Sequence, residues 1–446
     1  MQIMSSYSIK LTGDLKALEN SILIYRKALA FVIPIADNHW EEMKDFKFNN
    51  EKNNYAEKLI HSTKNNQAVY YFDEEFHKFP CYLRRAVVAK SIGIVSSYHS
   101  NLANWEEKKL ELERTGKKIP QPPCLSTRHY DYPAYYKNGL FQNFNPETQT
   151  IELKVFKNND WVYETYKLKT SDCNYYKKNL ANKKQNVPII KKKGRCFYVT
   201  FSYEESVPLI DQNDIKKICA IDLGIGTDAT CSIMSEDGTI YAKKFIHFSE
   251  EHDHLDTQLG RIKRNQRRGN KRNKKLWKRV SGISQDIADK TARTIFEFGH
   301  EHGVDVFVLE FLKFKGKQAV KRAHFWRYKR IYAVLGMISH RHGLRISRVS
   351  SRNTSKLAFD GSGTVKRGSK VSEDTPYSIV QFTSGKLYNA DLNASYNIGA
   401  RYWIRHILKP ISETKRLEIE AKVPQLSKRS TCTLSHLIRL RSEIFA

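Results

Sequence analysis

Three acids stand where their type and spacing could do chemistry: Asp222 in AIDLGIGTDAT, Glu310 in FVLEFLKF and Asp391 in NADLNASYNIGARYW. Asp222 ends the apolar run Ile218 to Ile221 and is followed by Gly224 and Gly226, so it reads as the last residue of a buried strand entering a glycine turn. Glu310 closes a second apolar run, Val304 to Leu309. Behind Asp391, Leu392, Ala394, Ser395, Ile398, Gly399 and Trp403 continue at near-helical spacing, which puts this carboxylate at a helix start, near the positive end of the macrodipole. Strand, strand and helix can therefore converge on one point. Carboxylates that meet there repel unless a divalent cation neutralises them, and hard oxygen ligands suit Mg²⁺, with Mn²⁺ as a substitute. Two such ions about 3.5 to 4 Å apart can activate a water and stabilise the leaving oxygen of a phosphodiester. Taken singly, each acid reads as a turn or cap residue. Three in order, with a basic segment between the first two, read as the site of a two-metal nuclease.

The elements that must position these acids occupy the second half of the chain. Residues 211–349 read as a strand with Asp222, a hairpin through CSIMSEDGTIYAKKF, a basic helix, a helix from Gln285 to His302, the Glu310 strand, a helix around Trp326 to His342 and a strand LRISRVS. Residues 350–388 read as an insertion, after which 389–410 return with Asp391, and 411–446 form a C-terminal tail. Ahead of all this, residues 1–20 suggest a strand that pairs with something much later. Residues 21–116 carry apolar positions at helical spacing, and 117–210 open on KKIPQPPCL before the alternating strands TIELKVF, WVYETYKLK and RCFYVTFSYE. A small β-barrel is the economical reading of those strands. Nothing repeats internally. The fold class expected is multidomain α+β.

A formal charge of +29 and a pI near 9.6 imply a polyanionic partner, because so much like charge repels itself unless phosphates relieve it. Global positive charge around a local acidic cluster favours an enzyme acting on DNA or RNA. The densest stretch, RIKRNQRRGNKRNKKLWKR from Arg261 to Arg279, holds eleven Lys or Arg and no acid. Such runs are usually solvated faces. Lying between two catalytic motifs, this one is read as a nucleic-acid contact through Arg261, Lys263, Arg264, Arg267, Arg268, Lys271, Arg272, Lys274 and Lys275, with Gly269 breaking or bending it. A second run, Lys191 to Lys193, reads as either a solvated turn or a phosphate contact. Seven cysteines without CxxC pairs, no secretory start and no apolar run near the roughly 20 residues of a membrane span predict a reduced, cytoplasmic protein.

The motif NADLNASYNI, preceded by the Asp222 and Glu310 motifs, resembles the transposon-encoded TnpB proteins and the related compact type V CRISPR effectors, in which the third acid lies in a motif close to NADxNAAxNI. The resemblance runs from about residue 216 to 402. It implies an RNase H-like (RuvC) nuclease domain over 211–349 and 389–410, with Asp222, Glu310 and Asp391 as catalytic metal ligands. It also implies a helical recognition domain over 21–116, a β-barrel wedge domain built from 1–20 and 117–210, and a target nucleic-acid-binding insertion over 350–388. The implied activity is an RNA-guided DNA endonuclease with a guide RNA and double-stranded target DNA as partners. Relatives insert a zinc ribbon of two CxxC pairs between the second and third acids. Here Ala358, Gly361, Gln381 and Ser384 occupy the corresponding positions, so no zinc is expected and packing of Leu357, Phe359, Phe382 and Leu387, or nucleic acid, must hold that loop. The rival readings are a guided DNA-binding repressor that does not cut and a guide-independent RNase H-like resolvase or transposase.

Overall fold

A computed structural model describes residues 1–116, 118–128, 131–270, 272–312 and 326–445. The chain divides into two compact units, Gln2–Glu205 and Ser206–Ala446, the latter with Met1.

The first unit begins with strand β1 (Gln2–Thr12), then helices α1 (Lys16–Asn38), α2 (Trp40–Met43), α3 (Asn49–Ile60), α4 (Phe72–Glu75) and α5 (Cys81–Arg114). Strands β2 (Phe141–Asn145), β3 (Thr150–Lys157) and β4 (Asp160–Leu168), helix α6 (Thr170–Asn179), and strands β5 (Lys184–Gln185), β6 (Ile189–Lys193) and β7 (Cys196–Ser206) complete it. The strands form one sheet in the order β2-β3-β4-β1-β7-β5, with β6 also on β7, so the first strand does pair with distant partners. The expected barrel is not closed. Among the described residues β2 does not pair with β6; the segment before β2 reaches β6 only through the isolated bridge Ala134↔Ile189, and Pro133 and Pro188 flank that bridge with nitrogens that cannot donate to a ladder. Helices and sheet also share one apolar core, including Leu29 and Val32 of α1, Val88 of α5, Val155 of β3 and Phe201 of β7, so the expected boundary at residue 116 separates no two cores.

The second unit is built on strands β8 (Lys217–Asp222), β9 (Ala229–Ser235) and β10 (Ile240–Ile246), helices α7 (Ser249–Arg267) and α8 (Lys274–Glu301), strand β11 (Val306–Phe311), helix α9 (Tyr328–Arg341) and strand β12 (Arg345–Ser350). Its sheet runs β10-β9-β8-β11-β12: the hairpin pairs antiparallel with β8, and β11 lies parallel to both β8 and β12. Alternation sorts its side chains. Cys219, Ile221, Phe307 and Leu309 pack with Ala292 and Ile295 of α8 on one face. Ile218, Ala220, Val306 and Val308 pack on the other. There they meet Ile398, Trp403 and Ile407 of helix α10 (Ala390–Leu408).

The insertion between β12 and α10 is a small sheet of β13 (Lys366–Arg367), β14 (Ile379–Gln381) and β15 (Leu387–Asn389). Its core is Ala358, Val380, Phe382 and Ala390, with Phe359 and Tyr388 against it; Leu387, expected there, is exposed. The last segment is not a tail. Helices α11 (Glu413–Lys422) and α12 (Leu434–Phe445) bury Ile419, Leu434, Leu437 and Leu440 in the same cluster as α10, because the apolar residues there recur at helical spacing. The predicted single basic helix is likewise two, α7 and α8, interrupted around Gly269 at φ +82°, a backbone that favours glycine.

Close approach of α10 to the sheet requires Gly399, where a Cβ would lie 2.8 Å from Met234 Cε and 3.1 Å from Ala220 Cβ. Gly399→Val should lower stability by about 1–3 kcal/mol, the usual cost of overpacking. Urea unfolding checks this, and an unchanged midpoint would contradict the seating of α10 on β8 and β9.

Candidate active site

The parallel register of β8 and β11 pairs Ile221 with Leu309, so one residue further on Asp222 and Glu310 are neighbours at the strand ends. Both continue the alternation of Ile218, Ala220 and Val306, Val308, which points them to the face covered by α10. Asp391 sits in the first turn of α10, where the Asn389 side chain caps the helix by accepting from the backbone nitrogens of Asp391 and Leu392, each at 3.0 Å. The three predicted acids are thus brought together by two strand ends and one helix start.

Their electrostatics follow from that crowding. Burial pushes the Asp222 carboxyl well above the usual carboxylate range, and the charges of Glu310 and Asp391 push it further, while Arg367 pulls it down. Burial also raises Glu310, to about 7, against a hydrogen bond from Thr354 and the charge of Arg401. Glu310 Oε1 is buried without a hydrogen-bond partner. Oxygen donors in this state fit a hard divalent cation, since a cation supplies the charge and the contact that the protein withholds.

Sequence reasoning missed Arg367. It lies on β13 of the insertion, and its Nη2 stands 3.7 Å from Asp391 Oδ1. The guanidinium is fixed over the Tyr377 ring at 4.1 Å and donates to the Tyr377 carbonyl. Nothing in the spacing of Arg367 marks it, because its approach depends on how the insertion folds back. Asn393 and Asn397 of the third motif follow Asn389 at four-residue spacing, a signal that the reading of the three acids does not use. Both are buried. Asn393 accepts from the Phe359 nitrogen and donates to the Leu357 carbonyl, and Asn397 donates to the carbonyls of Thr354 and Leu357.

The basic residues lie elsewhere in the unit. Leu255 and Ile262 of α7 pack with Val280 and Ile287 of α8, and the turn between the helices is pinned by Asn265 donating to Asn273 Oδ1 at 2.9 Å. Arg261, Lys263, Arg264, Arg267, Arg268, Arg272, Lys274 and Lys275 are all exposed; Lys271 lies outside the described residues. Of the positions corresponding to a zinc ribbon, Ala358 is buried and Gly361 has a φ of +80°.

A family model described as the Aq_aa04 family matches residues 5–157. The TnpB-like protein aq_aa05 of Aquifex aeolicus (strain VF5) is 24% identical over 246 residues, which cover 49% of this chain and 77% of that protein. Among solved structures, the Cas12f1–sgRNA–target DNA complex aligns at 13% identity over 89% of this chain and 98% of that one, with a TM-score of 0.34. The AacC2c1–sgRNA binary complex aligns at 10% identity over 86% and 69%, with a TM-score of 0.44. Thermus thermophilus RuvC aligns at 9% identity over 42% and 96%, with a TM-score of 0.22. The chain is similar to a TnpB-like protein, as its third motif led one to expect.

The raised Glu310 has a consequence for stability. Its folded-state value of about 7 exceeds its ordinary 4.5, so between those pH values the folded state keeps a proton that the unfolded state has lost. Stability must fall as pH rises through that window, and Asp222 adds to the fall in the same direction. In EDTA the melting temperature should drop more steeply from about pH 5 to pH 8 for the wild type than for Glu310→Gln, and Mg²⁺ should flatten the wild-type curve. Parallel curves for the two proteins would mean that Glu310 is not perturbed.

Proposed function

We propose that the chain is an RNA-guided DNA endonuclease with one RuvC-like site formed by Asp222, Glu310 and Asp391. The observation that carries this reading is the convergence of three carboxylates on one sheet face, with a buried, unpartnered oxygen on Glu310 and only partial compensation from Arg367. The order of the second sheet, an antiparallel meander followed by two parallel strands with α10 across one face, supports an RNase H-like domain. The similarity to a TnpB-like protein and the formal charge of +29 support nucleic acid as the partner.

Asp222, Glu310 and Asp391 would hold Mg²⁺, with Mn²⁺ as a substitute, and the ions supply the charge that activates a water and stabilises the leaving oxygen of a phosphodiester. Arg367, held beside Asp391, orients a phosphate at the site and adds positive charge. Thr354 and Arg401 favour the charged form of Glu310 from the loop after β12 and from α10. One site must cut the two strands in turn. Sequence choice comes from the guide RNA by base pairing, while the protein contributes shape recognition and an adjacent-motif reader. The unit Gln2–Glu205, with its helical recognition and wedge portions, binds the guide. The insertion 350–388 and the exposed basic turn between α7 and α8 contact nucleic acid through phosphates.

Three measurements test this reading. Asp222→Ala, Glu310→Ala and Asp391→Ala should each reduce Mg²⁺-dependent cleavage by roughly a hundredfold or more while binding of guide and target persists. Near wild-type cutting by any one of them removes it from the site. Neutralising Arg267, Arg268, Lys271 and Arg272 together should weaken binding evenly across sequences and flatten its salt dependence, by roughly 0.7 to 0.9 in log-log slope for each phosphate no longer neutralised; an unchanged slope makes the turn a solvated face. Guide-free protein should bind DNA without preference and acquire a target only with its RNA. Binding without cutting in the wild type favours a guided repressor, and selective cutting by RNase-treated protein favours a resolvase or transposase.

A further inference from the structure

Away from the three acids, two imidazoles and a carboxylate meet at the junction of β9, β10 and α7. Asp228 precedes β9 and is buried, with a side-chain exposure of 5%. Its Oδ1 lies 2.8 Å from His252 Nε2, and its Oδ2 accepts from the Phe248 nitrogen at 3.0 Å. His247, just past the end of β10, brings Nδ1 to 3.5 Å from Asp228 Oδ2, the outer limit of a hydrogen bond. The two imidazole rings are stacked, with centroids 5.1 Å apart and planes 12° from parallel. One donor atom from each residue lies within 4.8 Å of the others, the one such group among the described residues.

The bland function of this group is a clamp on the start of α7, and the Asp228 bonds to Phe248 and His252 perform it. His247 is left over by that account. It makes no short bond to Asp228, is 44% exposed, and still aims a ring nitrogen at the same carboxylate as His252. Two nitrogens and one oxygen form a donor set for a borderline first-row cation. Imidazole suits Zn²⁺, Co²⁺, Ni²⁺ or Cu²⁺ and does not suit Mg²⁺, Mn²⁺ or Ca²⁺, which take oxygen. Ligands at about 2.0–2.1 Å in a tetrahedral site stand about 3.3 Å apart, so closing around an ion requires these donor atoms, within 4.8 Å of one another, to draw in and the exposed His247 ring to turn out of its stack on His252. Solvent can fill the remaining positions, since His247 and His252 are 44% and 29% exposed.

The geometry points to a transition-metal site at Asp228, His247 and His252, distinct in its chemistry from the all-oxygen acid cluster. The missing ribbon thiols predict no zinc, and this site uses other residues in another place. Strand register puts it at the end of the sheet from which the acids project, since Ala229 pairs with Ile246 and Asp222 with Thr230. An ion there would tie the entry of β9, the exit of β10 and the first turn of α7 into one fixed point. Helix α7 ends in the exposed basic turn, so its anchorage sets where that turn is carried.

Cobalt tests the site without any nucleic acid. Full-length protein stripped with a chelator and titrated with Co²⁺, in excess Mg²⁺, should develop the visible absorption of an imidazole-ligated ion and saturate at one equivalent, with a rise in melting temperature. His247→Ala and His252→Ala should each weaken Co²⁺ binding about tenfold or more. Asp222→Asn should leave it unchanged. The exposure of His247 makes its variant the safer one, and a wild-type circular dichroism spectrum for it would exclude misfolding as the cause of a loss. Saturation that is unchanged in both histidine variants, or no Co²⁺ absorption in the wild type, overturns the assignment.

Discussion

Two carboxylates held side by side by strand register are the constraint around which the second unit is arranged. Parallel pairing of β8 and β11 makes Asp222 and Glu310 neighbours, and alternation sends both to one face. Neither can turn away without moving every side chain of its strand to the opposite face. Burial of both opposes folding, and for Asp222 the charges of Glu310 and Asp391 add to it, so both carboxyls hold protons more tightly than in the unfolded chain. The apolar packing of β8, β11 and α10 must therefore supply a surplus of stability, and it does so with strand residues that are buried on both faces of the sheet.

Helix α10 is where that surplus is joined to the site. Its apolar side seals the sheet, and its polar ridge repeats every four residues through Asn389, Asn393, Asn397 and Arg401. Asn389 caps the helix beneath Asp391, the next two hold the loop at 354–359, and the buried Arg401 donates to the carbonyls of Ser350, Arg352, Ser430 and Cys432. Removing any of these side chains leaves backbone groups unpaired, N–H donors at Asn389, a donor and a carbonyl at Asn393 and carbonyls at Asn397 and Arg401, at a cost of about 1–3 kcal/mol each. The same ridge explains why the C-terminal helices belong to this unit: two of the carbonyls that satisfy Arg401 come from residues 430 and 432.

Charge is segregated on the same unit. Positive side chains crowd an exposed turn, while the carboxylates occupy a half-buried recess screened by one arginine from the insertion. Exposed cations remain free to exchange their counterions for phosphates, and a recessed carboxylate cluster concentrates cations in turn. The basic turn thus costs the fold little, whereas the acid cluster has to be held.

Much of this is legible in the sequence because it rests on local periodicity. Apolar runs mark β8 and β11, helical spacing marks α10, and a glycine in a basic run marks the break between α7 and α8. A carboxylate at the end of a buried strand or in the first turn of a buried helix can point to few places, so the meeting of Asp222, Glu310 and Asp391 is expected from the amino-acid sequence. What periodicity does not carry is contact between segments distant in the chain. The approach of Arg367 to Asp391, the meeting of Asp228 with His247 and His252, and the burial of α11 and α12 each depend on how a loop returns. The open edge of the first sheet depends on whether its last strands find one another, and two prolines remove the donors that closure requires. Strand and helix identity is written in neighbours a few residues apart, while side-chain encounters across tens of residues are decided only when the core closes and each polar group must find a partner inside it.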